Sequence, residues 1–155
     1  MDFRIVALPL APFEPLFALS EPELASRGMK RVVADRQPGF PCRVSLRDAA
    51  PGESLLLLNY EHQALPGPYR ASHAIYVREN AAECVPGVNE IPAVLATRLL
   101  SVRAFDAAGM MVNADVVAGA EVAPLVGRYL DDARVSFVHL HNAKPGCYAA
   151  RAVRA

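Results

Sequence analysis

The strongest constraint on the fold is a pair of strand-like segments joined by a short turn. Thr97 to Phe105 and Met110 to Val117 flank Asp106-Ala107-Ala108-Gly109, and a four-residue loop that ends in glycine is a common β-hairpin connection. Across the chain, strand-like segments outnumber helical ones, and they occur mostly as hairpins with short helical segments inserted. This pattern favours an antiparallel sheet.

Three further segments complete the fold prediction. Ser54 to Tyr60 contains a continuous apolar run, which is typical of a central strand covered on both faces. Ser20-Glu21-Pro22-Glu23 is a capping box that begins a short helix, and Glu121 to Leu130 carries apolar residues at helical spacing. We predict one α+β domain over residues 1–155, with a curved, largely antiparallel sheet of hairpins and two or three short helices.

The composition argues against several functional classes. The 16 basic and 16 acidic residues cancel, which gives no indication of a nucleic-acid partner. No signal peptide is recognised, and no apolar segment approaches the ~18 residues of a membrane span. Cys42, Cys84 and Cys147 form an odd set without short spacing, which predicts reduced thiols and a cytoplasmic location. Homo-oligomerisation stays open.

The segment richest in potential catalytic or metal-binding side chains lies near the end of the chain. Residues 134–141 alternate like a strand, so Phe137, His139 and His141 share one face. Asn142-Ala143-Lys144-Pro145-Gly146 follows as a turn, and Cys147 begins a returning strand. With a five-residue loop, His141 is expected opposite Cys147, His139 opposite Ala149 and Phe137 opposite Arg151. A register slip of one residue turns Cys147 away.

Two histidines at this spacing and a nearby thiolate suit a borderline-soft metal such as zinc. The spacing has low specificity, however, and no fourth ligand is recognisable. The alternatives are a metal-free functional cleft and a hydrogen-bonded polar face with Cys147 as a small buried side chain. We rank zinc below the metal-free interpretations, so no metal ligand or other cofactor is assigned from sequence.

A second organised segment is Gln37-Pro38-Gly39-Phe40-Pro41-Cys42-Arg43. Its prolines and glycine predict a rigid loop that presents Cys42 and Arg43 at low entropic cost. An adjacent arginine favours a reactive thiolate. The alternative is a buried, inert Cys42 with Arg43 paired to a carboxylate such as Asp48 or Glu53. We expect the loop to pack against the His139 end of the last hairpin.

Two functional hypotheses follow. The first is a cleft for a small, anionic molecule, lined by Cys42, Arg43, His139, His141 and Cys147. In this hypothesis His139, His141 and Cys42 are the catalytic candidates, with histidine as general acid–base. Arg43, Arg103, Tyr69 and Cys147 are the ligand-binding candidates, since arginine binds carboxylates and phosphates. The second hypothesis is a non-catalytic interaction module with a structural histidine and cysteine cluster.

Several segments together resemble one bacterial family of unknown function, DUF1203. They are Pro38 to Leu46, Gly52-Glu53, Pro68-Tyr69-Arg70, Arg98 to Ala104 and His139 to Cys147. The resemblance covers nearly the whole chain. It implies no activity, cofactor or catalytic residue, so the functional hypotheses rest on the residues alone.

Overall fold

The computed structural model describes all residues, 1–155, and contains eight strands and three α-helices. The strands are β1 (Phe3–Val6), β2 (Lys30–Val33), β3 (Ser54–Gln63), β4 (Ala71–Arg78), β5 (Leu99–Phe105), β6 (Met111–Ala118), β7 (Phe137–Asn142) and β8 (Tyr148–Arg154). The helices are α1 (Glu21–Ser26), α2 (Ala93–Ala96) and α3 (Val122–Asp131), with 3-10 turns at Glu14–Ala18 and Gly119–Glu121. No helix combines the length and apolarity needed to cross a bilayer.

The strands form two antiparallel sheets, so the α+β prediction is confirmed. One sheet has the order β1-β8-β7-β5-β6 and the other has the order β2-β3-β4. The strands are divided between two sheets rather than one, and neither sheet is strongly curled. Two smaller sheets that face each other bury their inner faces without the curvature that one large sheet would need.

Three local predictions are confirmed. β5 and β6 pair antiparallel, and the carboxylate of Asp106 accepts hydrogen bonds from the backbone N–H groups of Ala108 and Met110 within their turn. β3 lies between β2 and β4 as a central strand. At the start of α1, the side chains of Ser20 and Glu23 each accept a hydrogen bond from the other residue's backbone N–H, which completes the capping box.

Helix α3 covers one face of the larger sheet. Its buried stripe is Val122, Leu125, Val126, Tyr129 and Leu130, and this stripe belongs to the same apolar core as Leu100 and Val102 of β5 and Val138 and Leu140 of β7. Side chains alternate along a strand, so the intervening residues of β5 and β7 point to the opposite face. That face lies against the smaller sheet and carries the polar residues described below.

The register of the last hairpin differs from the expected one. His139 pairs with Arg151 rather than Ala149, and His141 pairs with Tyr148 rather than Cys147. The register shifts between Leu140 and His141, so a β-bulge changes the pairing along the hairpin. Cys147 consequently lies in the loop before β8, with its backbone carbonyl accepting from the N–H of Asn142 at 2.9 Å.

Candidate functional site

All four histidines of the chain meet between the two sheets. His62 on β3 and His73 on β4 come from the smaller sheet, and His139 and His141 come from β7 of the larger one. The ring centroid of His62 lies 4.8 Å from that of His73, 4.9 Å from that of His141 and 5.5 Å from that of His139. We call these four residues the histidine cluster.

Strand alternation explains why His73 points into the cluster. His73 shares a face of β4 with Ile75 and Val77, which are fully buried in the core of the smaller sheet. His62 lies where the β3–β4 register shifts, between Glu61 and Gln63. Bulges of this kind redirect side chains, and here His62 and His73 both face β7.

Hydrogen bonds fix part of the cluster. His62 Nε2 and His73 Nδ1 are 2.7 Å apart, and the two rings are stacked with an interplanar angle of 12°. His141 Nδ1 lies 3.0 Å from the carbonyl oxygen of Gly146. Since a carbonyl only accepts, Nδ1 of His141 carries the proton and Nε2 has the free lone pair. His141 Nε2, His62 Nδ1 and His139 Nδ1 are buried without a hydrogen-bond partner.

The surroundings of the cluster keep the imidazoles neutral. Burial lowers the pKa of His139 and His141 from 6.5 to about 3, and that of His62 to about 4. Burial also lowers the pKa of His73, and the nearby guanidinium groups of Arg103 and Arg43 act in the same direction. At neutral pH the cluster therefore offers uncharged imidazole nitrogens, which can accept a hydrogen bond or ligate a metal.

A buried arginine lies beside the cluster. Arg43 is 2% exposed, and it donates from Nε to the carbonyl of Tyr148 at 2.7 Å and from Nη1 to the carbonyl of Pro41. Its Nη2 lies 3.0 Å from the Sγ atom of Cys147. These contacts join the Pro38–Arg43 loop to the turn end of the last hairpin, where Tyr148 pairs with His141. The predicted contact with the His139 end stays a prediction.

No carboxylate pairs with Arg43, contrary to one alternative drawn from the sequence. Asp48 instead binds Arg98 through two hydrogen bonds, of 2.6 and 2.9 Å. Glu53 binds Arg78. Burial lowers the pKa of Arg43, but a guanidinium stays protonated at neutral pH. The structure therefore holds a buried positive charge without an acidic partner.

Arg43 lines a cleft of about 750 Å³. Its cationic and polar lining residues include Arg43, His73, Arg98, Lys144 and Cys147, and its apolar ones include Leu57, Tyr76 and Leu99. None of the 15 lining residues is acidic. The lining of the cleft therefore combines positively charged groups with apolar side chains.

Comparison with known proteins identifies the family. Residues 39–154 match DUF1203, a family described as protein of unknown function. The chain belongs to the DUF1203 family. Comparison with curated proteins and with solved structures found no match. The DUF1203 segment contains the histidine cluster, Arg43 and the cleft, whereas β1, α1 and β2 precede it.

Within this DUF1203 chain, the predicted site residues fall into two groups. Arg43 and Cys147 line the cleft. Cys42, His139 and His141 are at most 2% exposed and do not line it. The Sγ atom of Cys42 accepts from the backbone N–H groups of Ser45 and Arg78 within the core. The catalytic roles of Cys42, His139 and His141 stay predictions.

The two remaining ligand-binding candidates lie towards other parts of the cluster. Arg103 pairs with His139 across β5 and β7, and its Nε donates to the hydroxyl of Ser101 at 3.1 Å. Tyr69 is 39% exposed, and its ring lies 6.0 Å from that of Phe105. Neither residue lines the cleft. The positive charge of Arg103 lowers the pKa of His73, and the ring of Tyr69 lies edge-on to that of Phe105.

Sequence reasoning missed His62 and His73 as members of the site. β3 extends to Gln63, beyond the predicted end at Tyr60. The alternating series Leu56, Leu58, Tyr60 and His62 was the available signal, because it continues the buried face of the strand. The turn-forming residues after His62 concealed this continuation.

Proposed function

We propose that this DUF1203 protein binds a small organic anion in the cleft, with Arg43 as the principal anion-binding group. The observation that carries the proposal is the buried guanidinium of Arg43, which lines the cleft and has no carboxylate partner. A buried charge is costly unless a counter-charge offsets it. A carboxylate or phosphate in the cleft would supply that counter-charge.

The hydrogen-bonding capacity of Arg43 supports this role. A guanidinium has five N–H donors, and Arg43 directs one each to the carbonyls of Tyr148 and Pro41 and to the sulfur of Cys147. One N–H on each terminal nitrogen is left for a ligand. The three internal contacts hold the guanidinium in place, so little side-chain entropy would be lost when an anion binds.

The remaining walls indicate the kind of anion. Arg98 and the exposed Lys144 add positive charge, although Arg98 is already paired with Asp48. Leu57, Tyr76 and Leu99 provide an apolar surface for a hydrocarbon or aromatic group. The volume of about 750 Å³ lies within the ~300–1,000 Å³ range of small-molecule sites. An organic carboxylate or phosphate ester therefore fits better than an inorganic ion.

Titration calorimetry with phenyl phosphate tests this function. We expect binding to weaken at least about tenfold in Arg43→Gln, because a hydrogen bond to a charged group contributes about 1.5–3 kcal/mol. Lys144→Gln removes an exposed charge from the rim and should weaken binding a few-fold, while Arg47→Gln, an exposed arginine outside the cleft, is the matched control.

Phosphate ion, phenyl phosphate and phenol should be compared in the same experiment. Phenyl phosphate should bind most tightly, because it alone has both an anionic group for Arg43 and a ring for the apolar side chains of the cleft. Failure of the wild-type protein to bind any of the anionic probes at millimolar concentration would contradict the proposal. Equal loss of affinity in Arg47→Gln and Lys144→Gln would also contradict it, because binding would then follow net charge rather than the cleft.

A further inference from the structure

We propose that His62, His73 and His141 form a binding site for one divalent transition-metal ion, with zinc as the expected ion. One side-chain nitrogen from each of the three lies within 4.8 Å of the other two. The ligands come from β3, β4 and β7, so the ion would link the two sheets. This site does not depend on anion binding in the cleft and is measured separately from it.

His141 provides the best-prepared ligand. It is 0% exposed, and its Nδ1 donates to the Gly146 carbonyl at 3.0 Å. Its Nε2 is buried without any hydrogen-bond partner. A histidine that ligates a metal usually donates its other ring N–H to a carbonyl or carboxylate, which fixes the tautomer and the ring orientation. His141 has this arrangement already.

The other two ligands need small movements and a change of tautomer in one ring, because one of the two hydrogen-bonded nitrogens carries a proton. Tetrahedral zinc with Zn–N distances of about 2.0–2.1 Å separates its nitrogen ligands by about 3.3–3.4 Å. His62 Nε2 and His73 Nδ1 are closer than this, at 2.7 Å, while the widest separation in the set is within 4.8 Å. Shifts of about 1 Å would lengthen the distance between His62 Nε2 and His73 Nδ1 and shorten the widest nitrogen–nitrogen distance to the value that zinc requires. His62 and His73 are half-buried rather than fully enclosed.

The ligand type selects the ion. Three neutral imidazoles without a carboxylate suit zinc and its neighbours rather than magnesium or calcium. Three protein ligands also leave a fourth position open, as in catalytic zinc sites. Arg103 and Arg43 place positive charge near the cluster. These charges oppose a bare dication, so the fourth ligand should be an anion such as hydroxide.

The structure favours this ligand set over the sequence-based one of His139, His141 and Cys147. The sulfur of Cys147 accepts from Arg43 at 3.0 Å and lies 3.5 Å from the side-chain nitrogen of Asn142. His139 belongs to the histidine cluster but not to the set of three converging nitrogens. His73 lines the cleft, which gives an ion a route to the site from solvent.

The primary test measures metal content and affinity in the full chain. Protein purified without chelator should contain close to one zinc per chain by elemental analysis. After chelation, calorimetry with zinc alone should show one site. His73→Asn and His141→Asn should each weaken zinc binding more than the ~10–100-fold that loss of an outer-shell partner costs. Asparagine at position 141 keeps a donor for the Gly146 carbonyl, so loss of ligation is separated from loss of that hydrogen bond.

Two matched controls define the ligand set. His139→Asn and Cys147→Ser should keep one zinc with affinity within a few-fold of wild type. Loss of zinc in either variant, with His73→Asn still binding, would overturn the three-histidine assignment. Cobalt(II) substitution gives a readout that needs no variant: visible bands of four-coordinate cobalt should appear without a sulfur-to-cobalt charge-transfer band. The absence of one-to-one zinc or cobalt binding by the wild type would leave a purely hydrogen-bonded cluster and refute the proposal.

Discussion

The two faces of the larger sheet are built from the same strands but contain opposite chemistry. On β7, Val138 and Leu140 point towards α3 and belong to a continuous apolar core. His139 and His141 alternate with them and point towards the smaller sheet. All six residues of β7 are buried, so burial alone does not distinguish the faces.

The two faces contribute differently to the stability of the fold. The helix-covered face buries apolar side chains, which stabilises the fold by about 25 cal/mol per Å². The opposite face buries imidazole nitrogens without partners, each of which costs about 1–3 kcal/mol. A chain selected for stability alone would place apolar residues there as well, and departures of this kind concentrate at functional sites.

The largest single-residue effect is expected on the apolar face. Leu140→Ala should lower the free energy of unfolding by about 2–5 kcal/mol, because it leaves a cavity in a fully buried core. Urea denaturation of wild type and variant measures the change. A loss below about 1 kcal/mol would mean that the two faces do not differ in packing as described.

Acidification should act mainly through the polar face. His62, His139 and His141 have folded-state pKa values of about 4, 3 and 3, below the ordinary 6.5. The unfolded chain therefore binds protons first as pH falls, and stability present above pH 6.5 is lost towards pH 4. Each histidine contributes up to about 1.4 kcal/mol per pH unit.

Urea denaturation of chelator-treated protein at pH 7 and pH 5 checks this pH dependence. The interval lies above the ordinary titration range of carboxylates, which limits their contribution. The apolar variant Leu140→Ala should show the wild-type slope of stability against pH, since it keeps all four histidines. A flat profile between these pH values would show that the histidines are not held neutral by burial.

Replacing a histidine by an apolar residue should raise the free energy of unfolding, whereas Leu140→Ala lowers it. His139→Leu removes a buried, unpartnered Nδ1 and keeps a side chain of similar size against Phe105 and Phe137. We expect stability in metal-free protein at pH 7 to rise by about 1 kcal/mol. Thermal and urea unfolding measure it, and a loss of more than about 2 kcal/mol would make His139 a structural residue.

The smallest expected effect is on the pKa of His73 when the positive charge of Arg103 is removed. Arg103 lowers the pKa of His73, after burial itself, so Arg103→Gln should raise that pKa towards its ordinary value. NMR titration of the His73 ring protons measures the change. Arg134→Gln, which removes an exposed arginine paired with Asp132, should leave the pKa of His73 unchanged. An unchanged pKa in Arg103→Gln would place the guanidinium outside the electrostatic range of the cluster.

Several local elements of the fold were predictable because the information lies in short segments. The Asp106–Gly109 turn, the Ser20 capping box and the apolar spacing of α3 each depend on neighbouring residues. Alternation also placed His139 and His141 on one face of a strand. The number of sheets was not predictable, because strands that are far apart in sequence choose their partners through tertiary packing.

The sequence by itself determined the α+β class, the main hairpins and helices, and the shared face of His139 and His141. Only the tertiary structure decided that His62 and His73 join His141, because they come from a different sheet and His62 lies at a register shift. It also decided that Arg43 has no carboxylate, since Asp48 and Glu53 pair with other arginines. Local patterns determine which way a side chain points along a strand, whereas the packing of the two sheets determines what it meets.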